Sequence, residues 1–196
     1  MAKTAKGTGE DNRAKILDAA GTMIGECGVD RTSLARVAEA AGLSKGTLYY
    51  YYASKNDLVF DIADRHMAQI TTTLFDMIDA DKDRSQPVTW ERLLTAFFTT
   101  ILTSEARSRL HLYLVREAVS GNAGLKERFQ ETYAQWFNMV DEAYDRMAGP
   151  KTDAAAKARF LVAVVDGFIL QTLLEADRPS IADIVRLMLR VIDPGH

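Results

Sequence analysis

Lysine, threonine and tyrosine side chains crowd one short segment of the sequence, KGTLYYYY at residues 45–52. At helical spacing Lys45 and Tyr49 share one side of this segment, and Gly46 and Tyr50 lie beside them. A lysine can donate to guanine O6 and N7 or to a phosphate, and a tyrosine can offer its hydroxyl or its ring edge. Gly46 lets a backbone approach DNA closely. This face therefore offers the chemistry of nucleic-acid binding.

Two short predicted helices position this face. Gly42 can take the positive φ that ends a helix, and Ser44 can cap the next helix by accepting a backbone hydrogen bond. Ala38 allows two crossing helices to approach closely. Leu48 and Tyr52 share the side that faces those neighbours. This pattern predicts a helix-turn-helix, whose second helix usually enters the major groove of DNA.

The segment and its surroundings resemble the tetracycline-repressor (TetR) family of bacterial transcription regulators. The resemblance covers roughly residues 11–66. Its matching residues are the runs at 16–20 (ILDAA) and 41–49 (AGLSKGTLY), together with Gly28, Thr32, Ser33, Ser54 and Lys55.

The resemblance implies specific DNA contacts. In the recognition helix they come from Thr47, Tyr49 and Tyr50, and phosphates are held by Lys55 and by Thr32 or Ser33. Arg36 has two interpretations, a DNA contact or a solvated surface charge. The predicted DNA-binding set is Thr32, Ser33, Arg36, Ser44, Lys45, Gly46, Thr47, Tyr49, Tyr50 and Lys55.

The composition favours an all-α protein of about nine helices. The 196 residues are 47% hydrophobic, which is enough for a proper core, and long stretches have helical rather than alternating spacing. We predict a disordered tail at residues 1–10, a DNA-binding head at 11–55, and an effector-binding and dimerisation body at 56–196. The net charge of −3 argues against a general nucleic-acid coat protein, whereas residues 31–55 are locally basic.

The lone cysteine, Cys27, excludes an intrachain disulfide and fits a reducing compartment. It is either a buried core thiol or a redox sensor. We expect a soluble cytoplasmic protein, because the N-terminus has no signal-peptide pattern and residues 160–174 are too short and too polar to span a bilayer.

The last two predicted helices carry apolar residues on both sides. Because a helix that faces one core needs a single apolar stripe, the second side favours a homodimer, with deep burial inside a monomer as the alternative. The resemblance likewise implies a four-helix dimer seam. The predicted interface residues are Phe160, Val164, Phe168, Ile184, Leu187, Met188 and Val191.

Aromatic residues are frequent between residues 90 and 144. They are either core residues or the wall of a largely apolar pocket with a few polar groups. The predicted pocket residues are Trp90, Phe97, His111, Tyr113, Arg116, Tyr133, Trp136, Phe137, Asp166 and Gln171. We expect no cofactor and no metal site, since the three histidines and one cysteine lack ligand spacing.

Together these features predict a homodimeric, ligand-responsive DNA-binding regulator, a repressor released from a palindromic operator by a small hydrophobic or aromatic effector. One alternative is a DNA-binding factor that is architectural or partnered by a protein and has no small ligand. An enzyme is the other, but the sequence has no nucleophile–base pair, no paired Glu-x-x-His and no glycine-rich phosphate loop.

Overall fold

The computed structural model describes residues 4–80, 88–148, 153–177 and 179–192. Within these ranges the chain forms α-helices and no strand, which confirms the all-α prediction. The helices are α1 (Thr4–Cys27), α2 (Leu34–Ala40), α3 (Lys45–Tyr51), α4 (Lys55–Asp79), α5 (Trp90–Leu102), α6 (Glu105–Val119), α7 (Ala123–Ala148), α8 (Ala154–Leu173) and α9 (Ile181–Ile192).

The first three helices form an N-terminal unit around a shared core. Ile16, Val37 and Leu48 are completely buried in it. The same core continues into α4 and α6 through Leu58 and Leu114. The predicted head thus shares its core with the body, and the boundary at residue 55 stays a prediction.

Helix α4 joins the head to the body. Its start carries a capping box: the Ser54 hydroxyl accepts from the Asp57 N–H at 3.2 Å, and Asp57 accepts from the Ser54 N–H at 3.1 Å. Leu58 near its start belongs to the first core, and Ile70 further along belongs to a second core. That second core lies among α4, α5, α7, α8 and α9, with α5 against α9 and α7 against α8.

The predicted N-terminal tail needs correction. Helix α1 begins at Thr4, so residues 4–10 are helical and not disordered as predicted. Once the packed part of α1 is helical, each residue that extends the helix adds one backbone hydrogen bond. Helix α2 is capped by Ser33. The part of the predicted tail at residues 1–3 lies outside the described residues. So do residues 81–87, whose charged sequence is typical of a loop, and Gly149 and Pro150, a pair that commonly ends a helix.

Candidate nucleic-acid interface and internal cavity

The turn between α2 and α3 is closed by backbone hydrogen bonds around Gly42, whose φ is +67°. The Leu43 N–H donates to the Ala38 carbonyl at 2.9 Å, and the Gly42 N–H donates to the Glu39 carbonyl at 3.1 Å. This pair of bonds is the Schellman motif, which satisfies the last carbonyls of α2 and turns the chain sharply. The predicted helix-turn-helix is therefore present.

Helix α3 has one buried side and one exposed side. Leu48 and Tyr52 are 0% and 3% exposed, whereas Tyr49 and Tyr50 are 53% and 84% exposed. Lys45 and Gly46 are exposed as well. The Tyr50 ring meets the Tyr51 ring edge to face at 5.2 Å, but most of its surface remains exposed, so the outer side of α3 is free to contact another molecule.

The other polar residues of the predicted interface hold the two helices in place. The Ser44 hydroxyl caps α3 by accepting from the Thr47 N–H at 3.0 Å, as predicted. The Ser33 hydroxyl caps α2 by accepting from the Arg36 N–H at 3.4 Å. The Arg36 guanidinium donates to the Arg31 carbonyl at 2.9 Å and remains exposed.

Thr32 and Lys55 are committed to contacts inside the protein. Thr32 is 3% exposed and its hydroxyl donates to the Gly28 carbonyl at 2.9 Å, so the phosphate contact predicted for this side chain is wrong, and a contact from Ser33 stays a prediction. The Lys55 amine donates to the Val29 carbonyl at 3.1 Å and lies 5.8 Å from the centre of the Tyr113 ring.

A cluster of charges around Asp61 of α4 joins the head to the body. Asp61 accepts hydrogen bonds from Arg13 of α1 at 2.6 Å, from the Tyr52 hydroxyl at 3.0 Å and from Arg128 of α7 at 3.2 Å. Burial, reinforced by the charge of Asp61, raises the pKa of Tyr52 to about 12, so this phenol keeps its proton at neutral pH. Three helices and the end of α3 therefore meet at one carboxylate.

An internal cavity lies between α4, α5, α6, α7 and α8, on the body side of this cluster. It contains about 900 Å³ of empty space, including the part that opens to solvent. Its walls are mostly apolar. Phe60 lines it and links it to the cluster, because the Arg128 guanidinium lies 3.9 Å from the centre of the Phe60 ring. Phe129 also lines it and meets Phe60 edge to face at 5.6 Å.

Four of the predicted pocket residues line this cavity: Phe97, His111, Trp136 and Asp166. Tyr133 lies behind the wall, where its hydroxyl donates to Asp166 at 2.5 Å, and His111 Nε2 lies 3.2 Å from the other oxygen of Asp166.

The remaining predicted pocket residues lie elsewhere. Trp90 lines a second, smaller cavity, and Phe137 packs in the second core beneath Arg159. Tyr113 donates to Asn56 at the start of α4, Arg116 lies over the Tyr113 ring, and Gln171 is exposed. Helical spacing alone does not distinguish the sides of α6 and α7 that face the cavity from those that face other helices.

Several polar cavity residues were missed from the sequence. His66, Arg107, Ser108 and Thr132 all line the cavity. Burial, followed by the charges of Arg107 and Arg65, lowers the pKa of His66, and burial lowers the pKa of Arg107. In the sequence His66 shares one helical side with Val59, Ala63, Met67 and Ile70, and this spacing was the signal that could have found it.

Exposed apolar residues form a stripe along α8 and α9. Phe160 and Leu170 of α8, Leu174 just after it, and Leu187 and Val191 of α9 are between 40% and 69% exposed. Val164 and Phe168 are partly buried. Ile184 and Met188 are 1% and 4% exposed and pack in the second core, so their predicted interface role is corrected to a core role. They occupy the side of α9 that faces α5.

Two further features of the described residues bear on the class of site. The described residues contain no group of three or more histidine, cysteine, aspartate or glutamate side chains that could hold a metal ion. None of the described helices has the length and apolar composition needed to cross a bilayer.

Comparison with known families agrees with this geometry. Residues 16–62 match the bacterial regulatory proteins of the tetR family, and residues 89–194 match the C-terminal region of BetI-type transcriptional repressors. The chain belongs to the TetR family. It is a helix-turn-helix transcriptional regulator, and a ligand-responsive repressor role is typical of that family.

Individual TetR-family proteins are similar over most of the chain. The regulator EthR of Mycobacterium tuberculosis is 23% identical over 92% of this chain and 84% of its own length. The fatty acid metabolism regulator protein of Bacillus subtilis is 23% identical over 65% of this chain and 63% of its own length. A solved structure of a Mesorhizobium loti regulator assigned to the TetR family has a TM-score of 0.72, with 16% identity over 93% of this chain and 97% of that one.

Proposed function

We propose that this TetR-family regulator is a homodimeric repressor that a small effector releases from a palindromic operator. Two recognition helices related by a two-fold axis must reach successive major grooves about 34 Å apart, which requires a palindromic site. The exposed apolar stripe on α8 and α9 supports the dimer, because a monomer gains nothing by leaving it in water. The protein works beside the DNA in the cytoplasm, and it is not an enzyme.

The DNA contacts that we propose come from the outer side of α3 and the start of α2. Lys45, Tyr49 and Tyr50 offer exposed donors and rings, and Gly46 permits close approach. Lys55 has donors left over from its bond to Val29 that can reach a phosphate. Further contacts come from Ser33, Arg36, Ser44 and Thr47.

The observation that carries the effector role is the chain of contacts from the cavity to α3. A molecule in the cavity touches Phe60, whose ring lies beneath Arg128. Arg128 bonds to Asp61, which in turn holds Tyr52 at the end of α3. Displacing Phe60 therefore shifts α4 and the head. An effector acts only if it prefers the form that cannot bind DNA.

A binding experiment tests this function. Duplexes selected from a random pool by the purified protein supply the operator, and its dissociation constant is measured by fluorescence anisotropy with and without compounds that raise the melting temperature. We expect such a compound to weaken operator binding about 5- to 150-fold. If every stabilising compound leaves operator affinity unchanged, the effector role is wrong.

A variant identifies the cavity as the effector site. Val165 lines it and is 8% exposed, so Val165→Phe fills it. We expect this variant to bind operator and to ignore the compound. The matched control is Val119→Phe, because Val119 is 81% exposed. If the protein is instead a protein-partnered DNA-binding factor without a small ligand, we expect no compound to stabilise it.

A further inference from the structure

One wall of the cavity is made of polar side chains. His66 of α4 and Arg107 of α6 line the cavity, and both also line a groove on the protein surface beside α1. The two side chains therefore separate the cavity from this groove. Gly21 and Gly25 of α1 line the groove as well, so the wall lies where the first helix of the head meets the body.

The polar atoms of this wall lack partners. The Nδ1 atom of His66 and the hydroxyl of Ser108 are buried and make no hydrogen bond. Within the described residues, the Arg107 guanidinium has neither a hydrogen-bond partner nor an ion-pair partner. Burial lowers the pKa of both Arg107 and His66, as expected for groups whose charged forms are partly shielded from water without gaining a counter-ion.

Of the two acidic residues that line the cavity, Asp166 is compensated, because it accepts from Tyr133 at 2.5 Å and lies 3.2 Å from His111. Asp64 lies 4.0 Å from Arg128, but burial raises its pKa, so this contact compensates it only in part. At the wall formed by His66, Arg107 and Ser108, the unpaired guanidinium requires hydrogen-bond acceptors and negative charge.

An organic anion meets this requirement and also fits the other walls. A guanidinium has donors and no acceptor, and a carboxylate matches it in a planar two-bond geometry. The remaining walls are mostly apolar, with residues such as Met67, Ile101, Val162 and Ile169. A ligand that fills the cavity therefore needs an apolar body and a single anionic end.

We propose that the effector is an organic carboxylate with an apolar body, whose carboxylate binds at the wall formed by His66, Arg107 and Ser108. This inference rests on the proposed function in that the cavity is the effector site. The bound carboxylate would join α4 to α6 beside α1, close to the helices that set the position of the head.

The test compares ligands that share one tail. Octanoate, octanol and octyltrimethylammonium, and the decyl series, are titrated into the Trp90→Phe protein without DNA. Trp136, which lines the cavity, is then the remaining tryptophan and its fluorescence reports binding. We expect the carboxylates to bind about tenfold or more tightly than the alcohols, and the ammonium compounds to bind most weakly.

Variants assign the preference to the wall. Arg107→Gln is expected to reduce carboxylate affinity to that of the alcohol without changing alcohol affinity, and Arg107→Lys to retain part of the preference. The control is Arg109→Gln on the same helix, since Arg109 is exposed and pairs with Glu105. A melting curve of each variant shows that it is folded.

Every other outcome contradicts the proposal. Equal affinity for the three head groups, a preference for the ammonium compound, or no quenching by any member of either series would overturn it. Operator binding is measured separately. A carboxylate that binds through Arg107 but leaves the operator bound would refute the effector role and leave the assignment of the ligand intact.

Discussion

The hydroxyl of Tyr52, at the end of α3, donates a hydrogen bond to Asp61 of α4 across 3.0 Å. Tyr52 is 3% exposed and cannot exchange this bond for one to water without moving. The same carboxylate accepts from Arg13 and Arg128. Because α3 carries the exposed tyrosines and Arg128 lies against the cavity residue Phe60, this bond joins the proposed DNA-binding surface to the proposed effector site.

Tyr52→Phe is expected to weaken communication between the sites more than it weakens the fold. Loss of one hydrogen bond should reduce the free energy of unfolding by about 0.5–1.5 kcal/mol, measured by urea titration. The effector-induced change in operator affinity should shrink as well. Tyr51→Phe is the matched control, because the described residues offer its hydroxyl no hydrogen bond. If both variants respond to effector like the wild type, the bond does not carry the coupling.

Lys45 and Lys55 are expected to contribute differently to operator binding. Lys45→Ala should cost about 1–3 kcal/mol on the selected operator and less on random DNA, because an exposed lysine at the start of α3 can read a guanine. Lys55→Ala should weaken all duplexes alike, and it should reduce the logarithmic salt dependence by about one unit.

Lys55→Ala should also lower the melting temperature, since its amine bonds to Val29 inside the protein. Lys126→Ala, which removes an exposed charge from α7, serves as the control in both assays. Unchanged operator affinity in both lysine variants would contradict the assignment of this surface.

The helix-turn-helix could be predicted from the sequence because its signals are local. Gly42 and Ser44 lie at the turn and the cap that they form. The burial of Leu48 and the exposure of Tyr50 follow from helical spacing within α3. Thr32 could not be assigned correctly, because only the fold shows that its hydroxyl is used by the Gly28 carbonyl.

The cavity was harder to predict because it belongs to five helices at once. An aromatic residue on α5 or α7 has the same spacing whether it faces the cavity, as Phe97 does, or packs elsewhere, as Phe137 does. Arg107 and Ser108 follow the N-cap of α6, and no local pattern connects them to His66. Likewise, only the packing of α5 against α9 shows that Ile184 belongs to the core.

His66 is expected to make the stability depend on pH in mildly acidic solution. Burial, then the charges of Arg107 and Arg65, lowers its folded pKa below 6.5. The unfolded chain therefore binds the proton first, so stability is fully present above about pH 6.5 and falls as the pH drops toward the folded pKa. The free energy of unfolding, measured by urea titration across this pH range, should change less with pH in His66→Gln than in the wild type. The same pH dependence of stability in the two proteins would show that His66 does not cause it.

The exposed stripe on α8 and α9 is expected to form the dimer. Leu187 is 54% exposed, so Leu187→Glu should leave the monomer folded while placing a charge in the seam. We expect sedimentation to show a monomer with a wild-type circular dichroism spectrum. Operator affinity should fall by about 100-fold or more, because a single head engages only one half-site.

The control for this variant is Val119→Glu, which places the same charge on an apolar residue of α6 that is 81% exposed. This variant should remain dimeric and bind operator normally. A Leu187→Glu protein that stays dimeric would place the seam elsewhere. A wild-type protein that is monomeric at micromolar concentration would remove the geometric reason for a palindromic operator, because the spacing of two recognition helices exists only in the dimer.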